Sequence, residues 1–322
     1  MGHQMTDALA AKAHGLGLAA IGIAPAIDEV RCEFPWARSV VCAAISYLPP
    51  EHEPPDDAPR GLVARIARSA DYHAVMRDKL MCLAKVISEA HQSARVEVCV
   101  DTNPLPERKL ALIAGIAWRG KNGSVFVDDC GSWAALGEIV TDAPIQSGVE
   151  PPHPKQVDLC GDCTLCIDAC PTRAIVAPGT IDRARCLSAL TQSSEPIHVD
   201  LRRTMGNRIY GCDVCQEVCR LNADAKPVTP EFAVDVFPGA YPELIPLINL
   251  SAAEFKRMVA PSSIGWIGRA RVRRNAAIAA ANLKCQDAIP ALEEMLRDDN
   301  PMLSEVAEWA IEDIGGGLSK KR

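Results

Sequence analysis

Cys160-Gly161-Asp162-Cys163-Thr164-Leu165-Cys166-Ile167-Asp168-Ala169-Cys170-Pro171 is the stretch that decides how this chain folds. Its spacing, C-x2-C-x2-C-x3-C-P, is the bacterial ferredoxin run for a 4Fe–4S cluster. In that run three thiolates wrap one cubane and the fourth ligates a second cluster. Gly161 and Asp162 suit the tight turn required, in which backbone N–H groups also aim at the sulfides. A second cluster needs three more thiolates. Cys212, Cys215 and Cys219 occupy the last three positions of another such run, but Ile209 stands near where its first cysteine belongs. Cys186, across a long loop, is the natural substitute. The assignment is therefore Cys160, Cys163, Cys166 and Cys219 on one cluster, and Cys170, Cys186, Cys212 and Cys215 on the other. A pair of structural zinc sites competes with it, but the run is crowded for a tetrahedral ion.

Outside this stretch the composition is ordinary. The chain has 322 residues, 48% of them hydrophobic, too apolar for disorder. Eight of its 14 cysteines lie in residues 160–219. A secreted disulfide scaffold would be short and led by a signal peptide. Residues 1–20 lack the basic-then-apolar pattern of one. The longest apolar runs, 16–27 and 39–48, are too short to span a bilayer. The expectation is a cytoplasmic protein, free of the membrane, with reduced thiols. Gly2 and Thr6 fit a myristoylation pattern that is better read as chance. Cys32, Cys42, Cys82, Cys99 and Cys285 read as core thiols, and Cys130 as a thiol in an exposed turn. The net charge of −7 excludes a uniformly basic nucleic-acid binder.

Three parts are expected: residues 1–152, 153–230 and 231–322. The first reads as α/β. Helices are predicted at 5–16, 71–90 and 107–114, and strands at 19–24, 39–48 and 96–100, from their apolar periodicities. Pro49, Pro50, Pro54 and Pro55 make a loop. Pro151-Pro152-His153-Pro154 reads as the linker into the cysteine-rich part. Residues 271–283, 287–297 and 301–314 read as amphipathic helices, a helical-repeat pair plus a closing helix. They should pack on the middle part, because one repeat cannot bury its own face. Residues 315–322 should be loose. No Gly-x-Gly-x-x-Gly follows a strand, so no nicotinamide or flavin Rossmann site is indicated. Composition and spacing stop at a cluster-fed redox enzyme with an unidentified second cofactor.

An ordered series of short segments extends the reading. It comprises Asp71-Tyr72-His73, Val100-Asp101-Thr102, Glu107-Arg108, Ala114-Gly115-Ile116, Gly120-Lys121-Asn122, Gly131-Ser132-Trp133 and Leu136-Gly137-Glu138. Beyond the cysteine run it continues with Arg185-Cys186-Leu187-Ser188, Leu190-Thr191-Gln192, Gly206-Asn207-Arg208, Tyr210-Gly211-Cys212-Asp213, Arg274-Asn275-Ala276-Ala277 and Ala307-Glu308-Trp309-Ala310. In these segments the chain resembles the epoxyqueuosine reductase family over most of its length. The resemblance implies a nitroreductase-like α/β cobalamin domain, a ferredoxin-like domain with two 4Fe–4S clusters and a C-terminal HEAT-like helical repeat. It implies that electrons from an unspecified external donor pass through both clusters to base-off cobalamin, forming cob(I)alamin. The epoxide of epoxyqueuosine at the tRNA wobble position is thereby reduced to queuosine. The family's general acid falls on Asp101, also a cobalamin neighbour. A carboxyl at a buried strand end is expected to have a raised pKa. Tyr72, His73 and Arg108 match the substrate pocket; Leu136, Asp213 and Val214 match positions lining the corrin. The chain departs from the family pattern around residues 27–36, before Asp71, and at Arg220, which follows Cys219.

Residues 255–286 contain no Asp or Glu, yet carry Lys256, Arg257, Arg269, Arg271, Arg273, Arg274 and Lys284. This basic segment, 256–284, is the expected contact for the phosphates of a tRNA anticodon stem-loop, bound by a monomer. Two other functions stay open here. One is a paralogous cobalamin and iron–sulfur reductase acting on a small molecule. The other is a non-enzymatic two-cluster electron carrier.

Overall fold

A computed structural model describes residues 2–49, 53–55, 58–101, 103–146, 159–233 and 236–319. Pro50, Thr102 and the linker at 151–154, with the part boundary beside it, lie outside the described residues. The first part runs α1 (Gly2–Gly15), β1 (Ala20–Pro25), α2 (Asp28–Glu33), β2 (Ser39–Ser46), β3 (Leu62–Val63), α3 (Tyr72–Ala90), β4 (Val96–Cys99), α4 (Glu107–Ile113), β5 (Trp118–Arg119), β6 (Val125–Phe126) and β7 (Ala134–Thr141). All of β2 is buried, as an unbroken apolar run needs when both sheet faces are covered. The sheet order is β1-β2-β7-β4, antiparallel throughout. β7 was not among the expected strands, yet it is an inner strand paired on both sides. Gly137 and Glu138 interrupt its apolar pattern. Gly137 is required by packing: a Cβ there would stand 2.7 Å from Met76 Cγ on α3. α3 covers that face with Met76, Leu80, Leu83 and Ile87. Full burial of each contributes roughly 1.5–3 kcal/mol. α4 covers the other face, where Leu110 and Ala114 join Cys42, Cys99 and Val140.

The cysteine-rich part holds α5 (Leu165–Asp168), β8 (Ile175–Ala177), β9 (Thr180–Ile181), α6 (Leu187–Gln192), α7 (Val199–Thr204), β10 (Arg208–Tyr210) and α8 (Val214–Glu217). β10 pairs in parallel with β3, so a strand of the first part is built into the second. The last part holds α9 (Leu244–Ile248), α10 (Ala252–Glu254), α11 (Arg269–Asn282), α12 (Ile289–Met295) and α13 (Pro301–Ser319). As expected, it packs on the middle part: Leu187, Ile197, Met205 and Ile209 share one apolar core with α9, α11, α12 and α13.

Several expectations need correction. α13 continues through Gly315 and Gly316 to Ser319 rather than fraying after Ile314; residues 320–322 lie outside the described residues. Cys32 is exposed, and Cys130 is buried. The basic segment is not one RNA-facing surface. Residues 272–281 of α11 are all buried, because this helix has neighbours on every side. Arg273 donates to the Ile248 carbonyl at 2.8 Å and pairs with Asp298 at 2.5 Å. Arg274 is fully buried among carbonyl groups. Lys284 pairs with Asp313 at 2.7 Å. Lys256 and Arg257 do stay exposed.

Candidate active site

Asp71 caps α3, its carboxylate accepting the His73 N–H at 3.1 Å. Tyr72 and His73 thus open the helix, where side chains lean back toward its N-terminus. Their rings stack with centres 3.9 Å apart. Both reach Asp101, which follows the end of β4. Tyr72 Oη donates to Asp101 Oδ2 at 2.8 Å. His73 Nε2 lies 3.5 Å from the same oxygen, and its Nδ1 lies 2.8 Å from Asp71 Oδ1. Ser263 Oγ, from the helical part, donates to that Asp71 oxygen at 3.2 Å. Asp101 has φ +51°, and its N–H donates to Glu107 Oε1 at 2.6 Å. Glu107 therefore fixes a backbone geometry that a non-glycine residue rarely adopts.

The electrostatics reverse the expectation for Asp101. The His73 hydrogen bond, then that of Tyr72, holds its carboxyl below the usual range against the effect of burial. His73 is pushed up to about 9 by Asp101 and then Asp71. Burial pushes Asp71 up, but the bonds from His73 and Ser263 outweigh it and leave it low. At neutral pH this group holds one transferable proton, on His73, between two carboxylates. Burial raises Glu107 to about 7. Beneath α4, Glu138 of β7 is fully buried, both carboxyl oxygens lack a hydrogen-bond partner, and burial raises it well above the carboxylate range.

Tyr72, His73, Asp101, Arg108, Leu136 and Asp213 line one cavity of about 880 Å³. So do Cys212, Tyr210, Ser263 and Trp266, which brings all three parts to one opening. Val214 is not on its wall; it opens α8, one residue past the lining Asp213. Asp213 accepts the Arg65 N–H at 2.7 Å, and burial raises its carboxyl to about 6.

The cysteines sort by mutual influence. Burial raises Cys166, and the charges of Cys160, Cys219 and Cys163 add to it. Burial raises Cys215 to about 12, with Cys212, Cys186 and Cys166 adding to it. Each group combines thiols from distant segments, and Cys166 belongs to both, so the two loops abut. Cys170 Sγ accepts the Ala174 N–H at 3.2 Å. Burial raises this thiol, but N–H groups of Ala174, Ile175 and Thr172 outweigh it and favour thiolate. Among the described residues no three His, Cys, Asp or Glu converge as on a single ion; a cubane takes its thiolates at separate iron corners.

The Gly120-Lys121-Asn122 turn clamps both loops. Lys121 Nζ donates to the Gly161 carbonyl and, at 3.3 Å, to that of Cys163. Asn122 Nδ2 donates to the Cys215 carbonyl at 3.3 Å. Such bonds contribute about 0.5–1.5 kcal/mol each, or 1.5–3 for a charged donor. Lys121→Met with Asn122→Ala is therefore expected to speed loss of iron in air severalfold, read as bleaching of the visible absorbance. A bleaching rate equal to that of the unaltered protein would show the clamps to be dispensable.

Two family models match. Residues 159–222 match the 4Fe-4S double cluster binding domain, and residues 29–102 match Epoxyqueuosine reductase QueG, DUF1730. The epoxyqueuosine reductase of Bacillus subtilis is 38% identical over 286 residues, covering 87% of this chain and 72% of that one. The chain belongs to the epoxyqueuosine reductase family. The Staphylococcus aureus epoxyqueuosine reductase is 35% identical over 293 residues, covering 89% of this chain and 75% of the relative. Among solved structures, epoxyqueuosine reductase with an epoxyqueuosine-modified tRNA stem loop superposes with a TM-score of 0.89 at 32% identity, covering 100% of this chain and 96% of that one. The Bacillus subtilis enzyme with its catalytic aspartate loop swung out of the active site gives 0.88 at 32% identity, covering 98% and 91%.

Sequence reasoning gave no role to Glu107, Glu138, Ser263 or Trp266. A lone acid within the apolar run 134–141 was the available signal for Glu138. Ser263 and Trp266 had none, since they come from the helical part and only folding brings them to the cavity.

Proposed function

We propose that this chain is an epoxyqueuosine reductase acting on the modified nucleoside within a tRNA anticodon stem-loop, with two 4Fe–4S clusters and a bound cobalamin. The observation that carries the reading is the meeting of a proton source and an electron route at one cavity. Asp101, Tyr72 and His73 line it, and so does Cys212, which we assign to a cluster. We read the sheet-containing part as the nitroreductase-like cobalamin domain and α11 to α13 as the HEAT-like element. No helix among the described residues is long and apolar enough to cross a membrane. A tRNA substrate places the work in the cytoplasm.

The cavity suits a corrin. Ala64, Ala134, Ala135 and Leu136 offer a wall of short apolar side chains, while Ser124, Ser132 and Gln216 offer hydrogen-bonding groups for a rim of amides. Gly211 keeps this wall close to the cluster loop: it has φ +71°, and a Cβ there would stand 2.4 Å from Ala64 Cβ. Bound there, cobalamin supplies low-potential reducing equivalents for cleaving a C–O bond.

Converting an epoxide to an alkene and water consumes two electrons and two protons. Asp101 is the member of the proton-bearing group that reaches furthest into solvent, its side chain 59% exposed. The proton held on His73 passes through Asp101, 3.5 Å away, to the epoxide oxygen, and solvent reaching the exposed Asp101 carboxylate supplies the second proton. Arg108, whose Nη1 donates to the Gly123 carbonyl at 3.2 Å, borders the same opening.

Two measurements follow. Reduced, cobalamin-loaded protein incubated with epoxyqueuosine-containing stem-loop RNA should yield queuosine; none forming while the clusters are reduced and the corrinoid is retained defeats the reading. The pH profile should carry an upper limb. His73, with its raised pKa, is protonated below about 9 and loses its proton as pH rises through that value. Turnover should fall about tenfold per pH unit above it. In His73→Gln that limb should vanish, and its persistence would assign the proton elsewhere.

A further inference from the structure

Trp266 is 59% exposed, more than any other large hydrophobic residue among those described. A single exposed apolar side chain is unremarkable, but this ring is held in place. It lies in the short 3-10 helix Gly265–Ile267 on the rim of the active-site cavity. Its Nε1–H donates to Tyr210 Oη at 3.1 Å. The Arg271 guanidinium lies 5.9 Å from the ring centre and is itself fixed by the Gln192 carbonyl at 2.8 Å. The turn beneath is tight, since a Cβ at Gly265 would stand 2.3 Å from the Ala260 carbonyl oxygen. The indole is thus ordered by two neighbours above a tight turn, while most of its surface faces water. Burial gains little from such a placement, so packing does not account for it. A fixed aromatic face at the mouth of a cavity is a recognition surface.

We infer that Trp266 is the stacking platform for the nucleobase adjacent to the nucleoside that enters the cavity. The inference rests on the proposed RNA substrate and adds the residue that receives its neighbour. A base taken out of its stack for chemistry leaves the next base with one bare face. Single-stranded RNA is held by aromatic stacking on such faces. The charge around the ring agrees with an RNA partner. Arg271 lies on the indole, and the exposed Lys256 and Arg257 precede the turn. Lys and Arg in that setting meet phosphates. Tyr210 ties the platform to the site, since it lines the cavity and anchors the indole.

The test uses the cluster-loaded protein and the anticodon stem-loop, with fluorescence anisotropy reporting binding and iron content checking the fold. Trp266→Ala should raise Kd by roughly tenfold to a hundredfold, within the range of base–aromatic stacking. Trp266→Phe should recover most of the loss, and Trp266→Leu should not. A stem-loop with an abasic site next to the modified nucleoside should bind the unaltered protein more weakly, and Trp266→Ala should then cost little more. An unchanged Kd in Trp266→Ala, or losses that add fully with the abasic site, overturns the inference. If the unaltered protein fails to bind the stem-loop, the RNA reading itself fails, and that failure appears without any substitution.

Discussion

Asp101→Asn is expected to retain both clusters and to bind the stem-loop, while turnover falls about 10²- to 10⁴-fold, the usual contribution of a positioned general acid. The fold should tolerate the change. Asp101 sits at φ +51°, and asparagine is among the residues that adopt this region most readily. Its N–H can still reach Glu107, and its amide oxygen can still accept from Tyr72. What disappears is a carboxyl able to carry a proton, together with the anion that does most to raise His73. The variant should therefore show a second signature: the His73 titration, followed by NMR, moves down from about 9. Full turnover would remove Asp101 as the proton donor. Lost turnover with an unmoved His73 titration would break the link between the two residues.

Arg274→Met is expected to destabilise the protein by several kcal/mol, since it removes charge-assisted hydrogen bonds that contribute about 1.5–3 kcal/mol each. Arg274 is fully buried. Its guanidinium donates to the carbonyls of Ser193 (2.8 Å), Leu190 (3.1 Å), Glu195 (3.1 Å) and Thr191 (3.3 Å). Those carbonyls lie at and just beyond the C-terminus of α6, where a helix leaves acceptors without internal partners and where positive charge is favoured. Methionine fills similar space but leaves these acceptors bare. Asn275 adds bonds of 2.8 Å to the Thr191 and Ile209 carbonyls. The segment so held begins at Cys186, the N-cap of α6. Loss of the clamp should therefore reach the second cluster. Thermal unfolding should begin earlier, and iron should fall from about eight per chain toward about four. Arg274→Lys should not rescue, because an ammonium cannot fork among these carbonyls. An unchanged midpoint with full iron would mean that the α6 carbonyls find other donors.

This prediction replaces the one suggested by charge alone. Seven basic residues in an acid-free stretch read as a phosphate-binding face, and a sequence has no means of separating a solvated arginine from an interior one. α11 is enclosed by α9, α13 and β10, so its charges point at carbonyls and at Asp298 rather than at solvent. The Asp101 expectation failed for a related reason. Burial of a strand end argued for a raised pKa, but Tyr72 arrives from 29 residues away in sequence with His73 beside it, and their hydrogen bonds outweigh burial. β7 escaped notice because Gly137 and Glu138 serve tertiary needs, close approach of α3 and a buried carboxyl under α4, that break a strand's local pattern.

What the sequence by itself determined is the cluster chemistry and the family. Thiolate spacing within a run of 12 residues is local covalent geometry, and short ordered motifs carry a likeness without any coordinates. Chain spacing likewise sufficed to propose Cys186 for the second set. What only the tertiary structure decided is where charge and protons reside. That depends on which distant groups share a low-dielectric space: His73 between two carboxylates, Arg274 among backbone carbonyls, and Trp266 fixed on the rim by Tyr210 and Arg271. These are relations between segments with no spacing in sequence to betray them, because packing, not chain order, sets their distances.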